Sequence, residues 1–209
     1  MAHTRKMAML NYDYGAMILN QLEAKRRIIK YLKEHNIPYM EGLCGDAPQI
    51  TMLYKGCENC PDKVLESSIY FFSDCAECRV YYNANGAEWV RISNCRNDLF
   101  RLFNYINAMI WPCGADGVGN NLYKPQHLYT PRLYMTEDDC FDIVLATVVN
   151  YDFYNVAPLE TEDFLTACLP ELLNNLSIPI FLLLLGKITV ERAISIIETE
   201  ILDKRGTIL

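Results

Sequence analysis

Four cysteines stand in two Cys-x-x-Cys pairs, Cys57 with Cys60 and Cys75 with Cys78, inside the stretch GCENCPDKVLESSIYFFSDCAEC. The spacing C-x2-C-x14-C-x2-C is close to that of structural zinc sites, where four thiolates converge on one ion at about 2.3 Å. Two features oppose that chemistry. Zinc knuckles usually carry Gly after the second Cys, freeing backbone amides to reach the sulfurs, but Pro61 and Arg79 occupy those positions, and Pro has no amide hydrogen. The spacer VLESSIYFF also reads as one strand, which at about 3.3 Å per residue spans roughly 30 Å and sets the two pairs at opposite ends. A turn at Ser67-Ser68 would reunite them, and Ser-Ser is a weak turn signal. The favoured expectation is four reduced thiols and no cofactor. The alternative is a small zinc-binding regulatory domain built on Cys57, Cys60, Cys75 and Cys78. A thioredoxin-like redox pair needs a Cys at a helix N-terminus in a βαβ setting, which neither pair has.

Other chemistry is sparse. The histidines are His3, His35 and His127. His35 closes a helix, where a positive charge suits the dipole. His127 lies in an aromatic extended stretch and could face Cys113 or Cys140 as a nucleophile pair, although a surface or core histidine is the commoner case. The cluster Glu137, Asp138, Asp139 and Asp142 could ligate a metal, but acids at a helix start serving the dipole are the more frequent explanation. The loop CGADGVGNN lacks the Gly-Lys-Ser/Thr ending of a phosphate cradle, and the helix precedes it. No Gly-x-Ser-x-Gly, His-Glu-x-x-His, EF-hand or dinucleotide fingerprint is present in the sequence, so no catalytic residue is assigned and no enzyme is expected.

These residues sit in a 209-residue chain with 51 % hydrophobic and 22 % charged residues. That length and composition suit a globular domain able to bury a core. The net charge of −7 argues against wrapping nucleic acid, which needs clustered Lys and Arg. The one dense basic run, Lys25-Arg26-Arg27 with Lys30 and Lys33, reads as the solvated side of a helix. Asn11 and Asp13 interrupt any apolar core in the N-terminal segment, and IPIFLLLL (178–185) is too short for the roughly 20 residues that span a bilayer. The expectation is a cytoplasmic protein without membrane or nucleic-acid partners, its nine cysteines reduced.

The elements that must position these residues follow from periodicity. Leu19, Leu22, Ile29 and Leu32 predict a first helix, stopped by Asn36 and Pro38. QITMLY (49–54) and VLESSIYFF (64–72) predict strands, and Asn85-Gly86 between RVYY and AEWVRI predicts a two-residue hairpin turn. Leu99, Leu102, Phe103, Ile106 and Ile110 predict a second helix, with Ser93 or Asn94 as its cap. LYKPQHLYTPRLYM (122–135) reads as extended. Thr136 with Asp139 reads as a capping pair for a helix EDDCFDIVLATVVNYDFY. The rest, including TVERAISIIETEIL capped by Thr189, is expected to be helical. The predicted class is α+β: an antiparallel β-meander with helices packed on one face and extra C-terminal helices. Residues 1–155 would form the core and 156–209 a helical extension packed on it, or all of 1–209 a single domain.

This order of elements, with YLKEHNIPY, CRNDLFRLFNYINAMI, YMTEDDCFDIVLATVVNYDFY and LLLLGKITVERAI, resembles the YbjN-like domain, whose fold is similar to that of type III secretion chaperones. The resemblance covers roughly residues 15 to 200. It implies a non-catalytic, chaperone-like or regulatory module, commonly a homodimer, that holds an apolar segment of another protein. The 14 tyrosines suit that role, because aromatic faces with polar tips favour interfaces as well as cores. Tyr81, Tyr105, Tyr123, Tyr129 and Tyr134 are the candidate partner-binding residues.

Overall fold

The computed structural model describes residues 20–109, 113–114, 124–125, 130–136 and 139–201. Helix α1 (Gln21–Glu34) is followed by strands β1 (Tyr39–Cys44), β2 (Ala47–Lys55), β3 (Val64–Phe71) and β4 (Cys75–Tyr82). Helices α2 (Ala84–Ile92) and α3 (Arg96–Met109) come next, then the two-residue strands β5 (Cys113–Gly114) and β6 (Lys124–Pro125), which pair with each other. Strands β7 (Arg132–Met135) and β8 (Ile143–Asn150) return to the main sheet. Helices α4 (Tyr151–Val156), α5 (Pro158–Asp163), α6 (Leu169–Leu184) and α7 (Val190–Ile196) complete the order. The main sheet has six antiparallel strands in the order β1-β2-β3-β4-β8-β7. The class is α+β, as the periodicity predicts.

The sheet is two-faced because its strands alternate. In β4, Ala76, Cys78, Val80 and Tyr82 are buried, while Cys75, Glu77, Arg79 and Tyr81 between them are half-exposed. Register carries the buried face sideways: Cys78 stands opposite Ile69 on β3 and Thr147 on β8, and Ile69 opposite Ile50 on β2. Each aliphatic side chain so buried contributes roughly 1.5–3 kcal/mol. Helix α6 covers this face with Leu169, Leu173, Leu176, Ile180 and Leu183, all buried at helical spacing. One buried cluster joins Ile69, Cys78 and Val80 of the sheet to Leu173, Leu176 and Ile180, so it runs straight across residue 156. Leu185, last of the apolar IPIFLLLL stretch, caps a helical run, Pro158–Leu184, of 27 residues. That run is long and apolar enough to cross a bilayer, and half of its most apolar window is buried in the protein.

Two expectations are corrected. Asn85-Gly86 is not a hairpin turn. Asn83 caps α2, its side-chain oxygen accepting from the Gly86 amide at 3.3 Å, and Asn85 and Gly86 form the first helical turn. Gly86 is there for closeness rather than for a positive φ: a Cβ on it would stand 2.4 Å from Tyr82 Cβ. The second correction concerns the helix expected after Thr136. Residues 143–150 are strand β8, between β4 and β7. Ile143, Val144, Thr147, Val148 and Val149 are β-branched, a composition that suits a central strand better than a helix. Thr136 instead closes the β7–β8 connection: its Oγ1 accepts from the Asp142 amide at 2.9 Å, and its own amide donates to the Asp142 carbonyl at 2.9 Å. Helix follows only from Tyr151.

α3 bears out its periodicity, with Leu99, Leu102, Phe103 and Ile106 buried; Ile110 lies outside the described residues. Ser93 turns the chain into it, accepting from the Cys95 amide at 3.0 Å and donating to the Leu184 carbonyl at 2.7 Å. Thr189 caps α7 as predicted. Glu162 is a buried acid whose Oε1 accepts from Tyr154 Oη at 2.8 Å. Burial raises its pKa above the ordinary 4.5, opposed by the Tyr154 hydrogen bond and by Arg27.

Two outcomes are expected. Gly86→Ala lowers stability in urea unfolding by roughly 1–3 kcal/mol through overpacking; a gain of about 1 kcal/mol, the usual helix preference for Ala, would contradict the contact with Tyr82. Glu162 binds its proton more tightly folded than unfolded. Its contribution is therefore full below the ordinary carboxylate range and lost as pH rises through the raised pKa. Glu162→Gln lacks that loss, so its melting temperature relative to wild type rises between pH 4.5 and pH 8. A difference constant with pH would show that Glu162 titrates normally.

Candidate functional site

The strand β3 runs unbroken from Val64 to Phe71, with Ser67 and Ser68 both buried inside it and no turn between them. Cys57 and Cys60 lie before this strand, and Cys75 opens the next one. Within β4, Cys78 faces the core and Cys75 the opposite side, as any i, i+3 pair on a strand must. Cys78 is packed between Ser67 Oγ at 3.4 Å and the Leu165 carbonyl at 3.6 Å. Among the described residues no group of three or more His, Cys, Asp or Glu stands close enough to hold a metal. Burial pushes the Cys60 thiol up to about 11 and Cys78 up to about 12. Burial, then the Asp163 carboxylate, pushes Cys168 to about 12. These thiols stay protonated and poorly nucleophilic at neutral pH.

The candidate tyrosines separate. Tyr81 and Tyr134 stand on the sheet face away from α6, in one row, because each is registered with Val144 from either side of β8. Burial and the Glu66 carboxylate raise the Tyr81 pKa, its hydroxyl donating to Glu66 Oε1. Next to this row, Arg79 makes a two-pronged ion pair with Glu77 at 2.9 and 3.0 Å and lies 5.1 Å over the Tyr70 ring. Tyr105 belongs to α3 on the other side, its hydroxyl donating to Glu198 at 2.8 Å. Tyr123, Tyr129 and His127 lie outside the described residues. His35 ends α1 stacked on Tyr31, 4.0 Å between ring centres. Lys25 faces Glu41, Arg26 and Arg27 share Glu23, and Lys30 faces Glu34, at 2.7 to 3.8 Å, so that basic run is partly offset locally. Asp139 and Asp142 fall in the β7–β8 connection rather than at a helix start; Glu137 and Asp138 lie outside the described residues.

The feature that sequence reasoning missed is the contrast between the two edges of the sheet. At the β7 edge, the Asn107 carboxamide of α3 pairs with one residue of the strand: Nδ2 donates to the Leu133 carbonyl at 2.9 Å, and Oδ1 accepts from the Leu133 amide at 2.8 Å. A side chain there does what a neighbouring strand would do. At the other edge, β1 pairs with β2 alone among the described residues. Tyr39 is half-buried and every residue from Met40 to Cys44 is exposed. Met40 and Leu43 present 68 % and 72 % of their surface to solvent. Proteins usually blunt such an edge with Lys or Pro; the one charge on β1, Glu41, is held by Lys25 at 2.7 Å. The signal for this strand was Gly45-Asp46, a two-residue hairpin connection with Gly45 at φ 58°. No protein family, no curated protein and no solved structure matches the chain.

Thiol accessibility checks the site geometry. Under native conditions at pH 8, iodoacetamide labels exposed Cys44 at least ~100-fold faster than Cys60, Cys78 and Cys168, read by peptide mass spectrometry. Comparable rates at Cys78 would mean that β4 is not buried under α6.

Proposed function

We propose that the chain is a non-catalytic protein-interaction module that takes up an extended apolar segment of a partner protein by pairing it with β1. The observation that carries this reading is the asymmetry of the edges: at the β7 edge Asn107 takes both peptide groups of Leu133, whereas among the described residues β1 pairs with β2 alone and carries exposed Met40 and Leu43. Strand addition of this kind takes affinity from main-chain hydrogen bonds and selectivity from alternate side chains. Met40 lies on the tyrosine face and Leu43 on the helix side of the sheet. A fitting segment therefore carries apolar residues on both faces, and the net charge of −7 favours a neutral or basic one. The resemblance to YbjN-like domains carries the same implication. The row of Tyr81 and Tyr134 is a second contact surface for what lies beyond the added strand.

The test uses synthetic eight-residue peptides with Val or Leu on both faces of the strand, Thr at the remaining positions and Lys at the two ends, followed by fluorescence anisotropy. Met40→Lys and Leu43→Lys are surface changes expected to alter stability by no more than about 0.5 kcal/mol. They weaken peptide binding by about tenfold or more, the effect of a charge on an edge strand. Unchanged binding in both variants, or binding lost in Tyr134→Lys instead, would contradict the use of β1. Sedimentation showing a dimer that Leu43→Lys dissociates would assign the edge to a second copy of the chain.

A further inference from the structure

A cleft of about 450 Å³ opens where the Cys57–Lys63 loop meets α2 and the end of α6. Pro61, Trp89, Phe181 and Leu185 give it apolar and aromatic walls, and Asn59 and Asn85 line it as well. Trp89 is a large apolar side chain left 38 % exposed, and Phe181 is fixed edge-on against Tyr82 at 4.8 Å. One carboxylate, Asp62, lines the same cleft.

The loop holds Asp62 deliberately. Asp62 and Lys63 are consecutive non-glycine residues at positive φ, 53° and 56°, a conformation that Asp tolerates better than most L-residues and Lys rarely adopts. Backbone bonds enforce it here: the Cys60 amide donates to the Cys57 carbonyl, the Lys63 amide to Cys60 and the Cys57 amide to Lys63, at 2.9 to 3.0 Å. The Cys60 thiol anchors the loop on Ser177 of α6 at 3.2 Å. The Asn83 and Asn85 amides both donate to the same oxygen, Asp62 Oδ2, at 2.5 Å. Oδ1 has no hydrogen-bond partner among the described residues, and no ion pair among them uses Asp62. The adjacent cation, Lys63, pairs with Glu58.

We propose that this cleft binds a small organic ammonium ion, with Asp62 as its counter-charge and Trp89 and Phe181 as its aromatic walls. The chemistry follows from three facts together. Asp62 is exposed, and its carboxylate, oriented by two amides and without a cationic partner among the described residues, attracts positive charge. Aromatic faces attract a cation that has shed its water, and do so best when its charge is spread over alkyl groups. A cleft of this size, with aromatic and apolar walls and the polar groups of Asn59, Asp62 and Asn85, is of the kind that takes a small molecule. Inorganic cations are poorly served, since a single carboxylate and two amide donors do not make a cage of oxygen ligands. The site is separate from β1 and does not rest on the reading of that edge.

Trp89 reports the binding. The chain has two tryptophans, so a Trp111→Phe background leaves Trp89 as the sole one. Choline, its neutral isostere 3,3-dimethylbutanol, and the N-acetyl methylamide of lysine are titrated while tryptophan fluorescence is followed. The expected result is saturable quenching by choline in the millimolar range or tighter, with the neutral isostere weaker by about tenfold or more. Asp62→Asn keeps an oxygen for Asn83 and Asn85, and weakens choline to the level of the isostere. Trp89→Leu, an exposed change that leaves the fold intact, weakens choline followed by calorimetry. Tighter binding of the lysine derivative than of choline would point to a lysine side chain of a protein as the natural source of the ammonium group. No saturation by either ammonium, equal affinity for the neutral isostere, or unchanged binding in Asp62→Asn with native circular dichroism would each overturn the proposal.

Discussion

Everything in this molecule hangs on the seat of α6 against the core face of β3 and β4. That contact is apolar over most of its length, but a small buried polar knot fixes its position. Ser177 donates to the Leu173 carbonyl of its own helix at 2.7 Å, and its oxygen meets Tyr82 Oη at 2.9 Å and the Cys60 thiol at 3.2 Å. Tyr82 Oη also reaches the Leu173 carbonyl at 3.2 Å. A sheet face of aliphatic side chains could slide under an apolar helix at little cost; buried hydroxyls cannot, because each must keep its partners. The knot therefore sets the register of helix on sheet. It also ties the Cys57–Lys63 loop to both, and with it the carboxylate of Asp62. At the far end of α6, Ser93 bonded to the Leu184 carbonyl fixes the approach of α3. α3 in turn brings Asn107 to the β7 edge.

The two edges are thus products of one packing decision. The helices that α6 organises bring Asn107 onto Leu133 at the β7 edge, and the opposite edge is left to β1. An edge strand with exposed apolar side chains on both faces is either an aggregation hazard or a docking strand. Burial beneath α6 also explains why the core-facing cysteines are chemically quiet. Cys60 and Cys78 lie beneath α6 as small apolar packing residues with weak hydrogen bonds, whereas Cys44 sits on the open edge.

Much of this was legible in the sequence where one physical signal dominated. The helical spacing of Leu99, Leu102, Phe103 and Ile106, the cap at Thr189 and the unbroken strand character of VLESSIYFF were readable because periodicity, capping and β-branching agreed. The errors came where two signals competed. Asn85-Gly86 carries a hairpin signature, but Gly86 is required by the approach of Tyr82, and Asn83 just ahead supplies a helix cap that outcompetes the turn. Thr136 and the acids after it imitate a helix start, yet the β-branched run from Ile143 prefers a central strand. β1 has almost no periodic signal, since an edge strand exposed on both faces has no buried face to write into the sequence. The pairing of Asn107 with Leu133 joins residues distant in sequence, and nothing local to either announces it. Asp62 gave no signal either; its role depends on a backbone conformation that Asp and Lys seldom adopt.

The two edges of the sheet differ: Asn107 occupies the Leu133 peptide on one, and β1 pairs with β2 alone among the described residues on the other. Amide hydrogen exchange resolved by residue tests this contrast, on the free chain and after addition of a peptide apolar on both faces. The account predicts that the Leu133 amide is protected throughout, while the β1 amides facing away from β2 exchange fast when free and slow when peptide is present. Protection of those β1 amides in the free monomer, or fast exchange at Leu133, would contradict it.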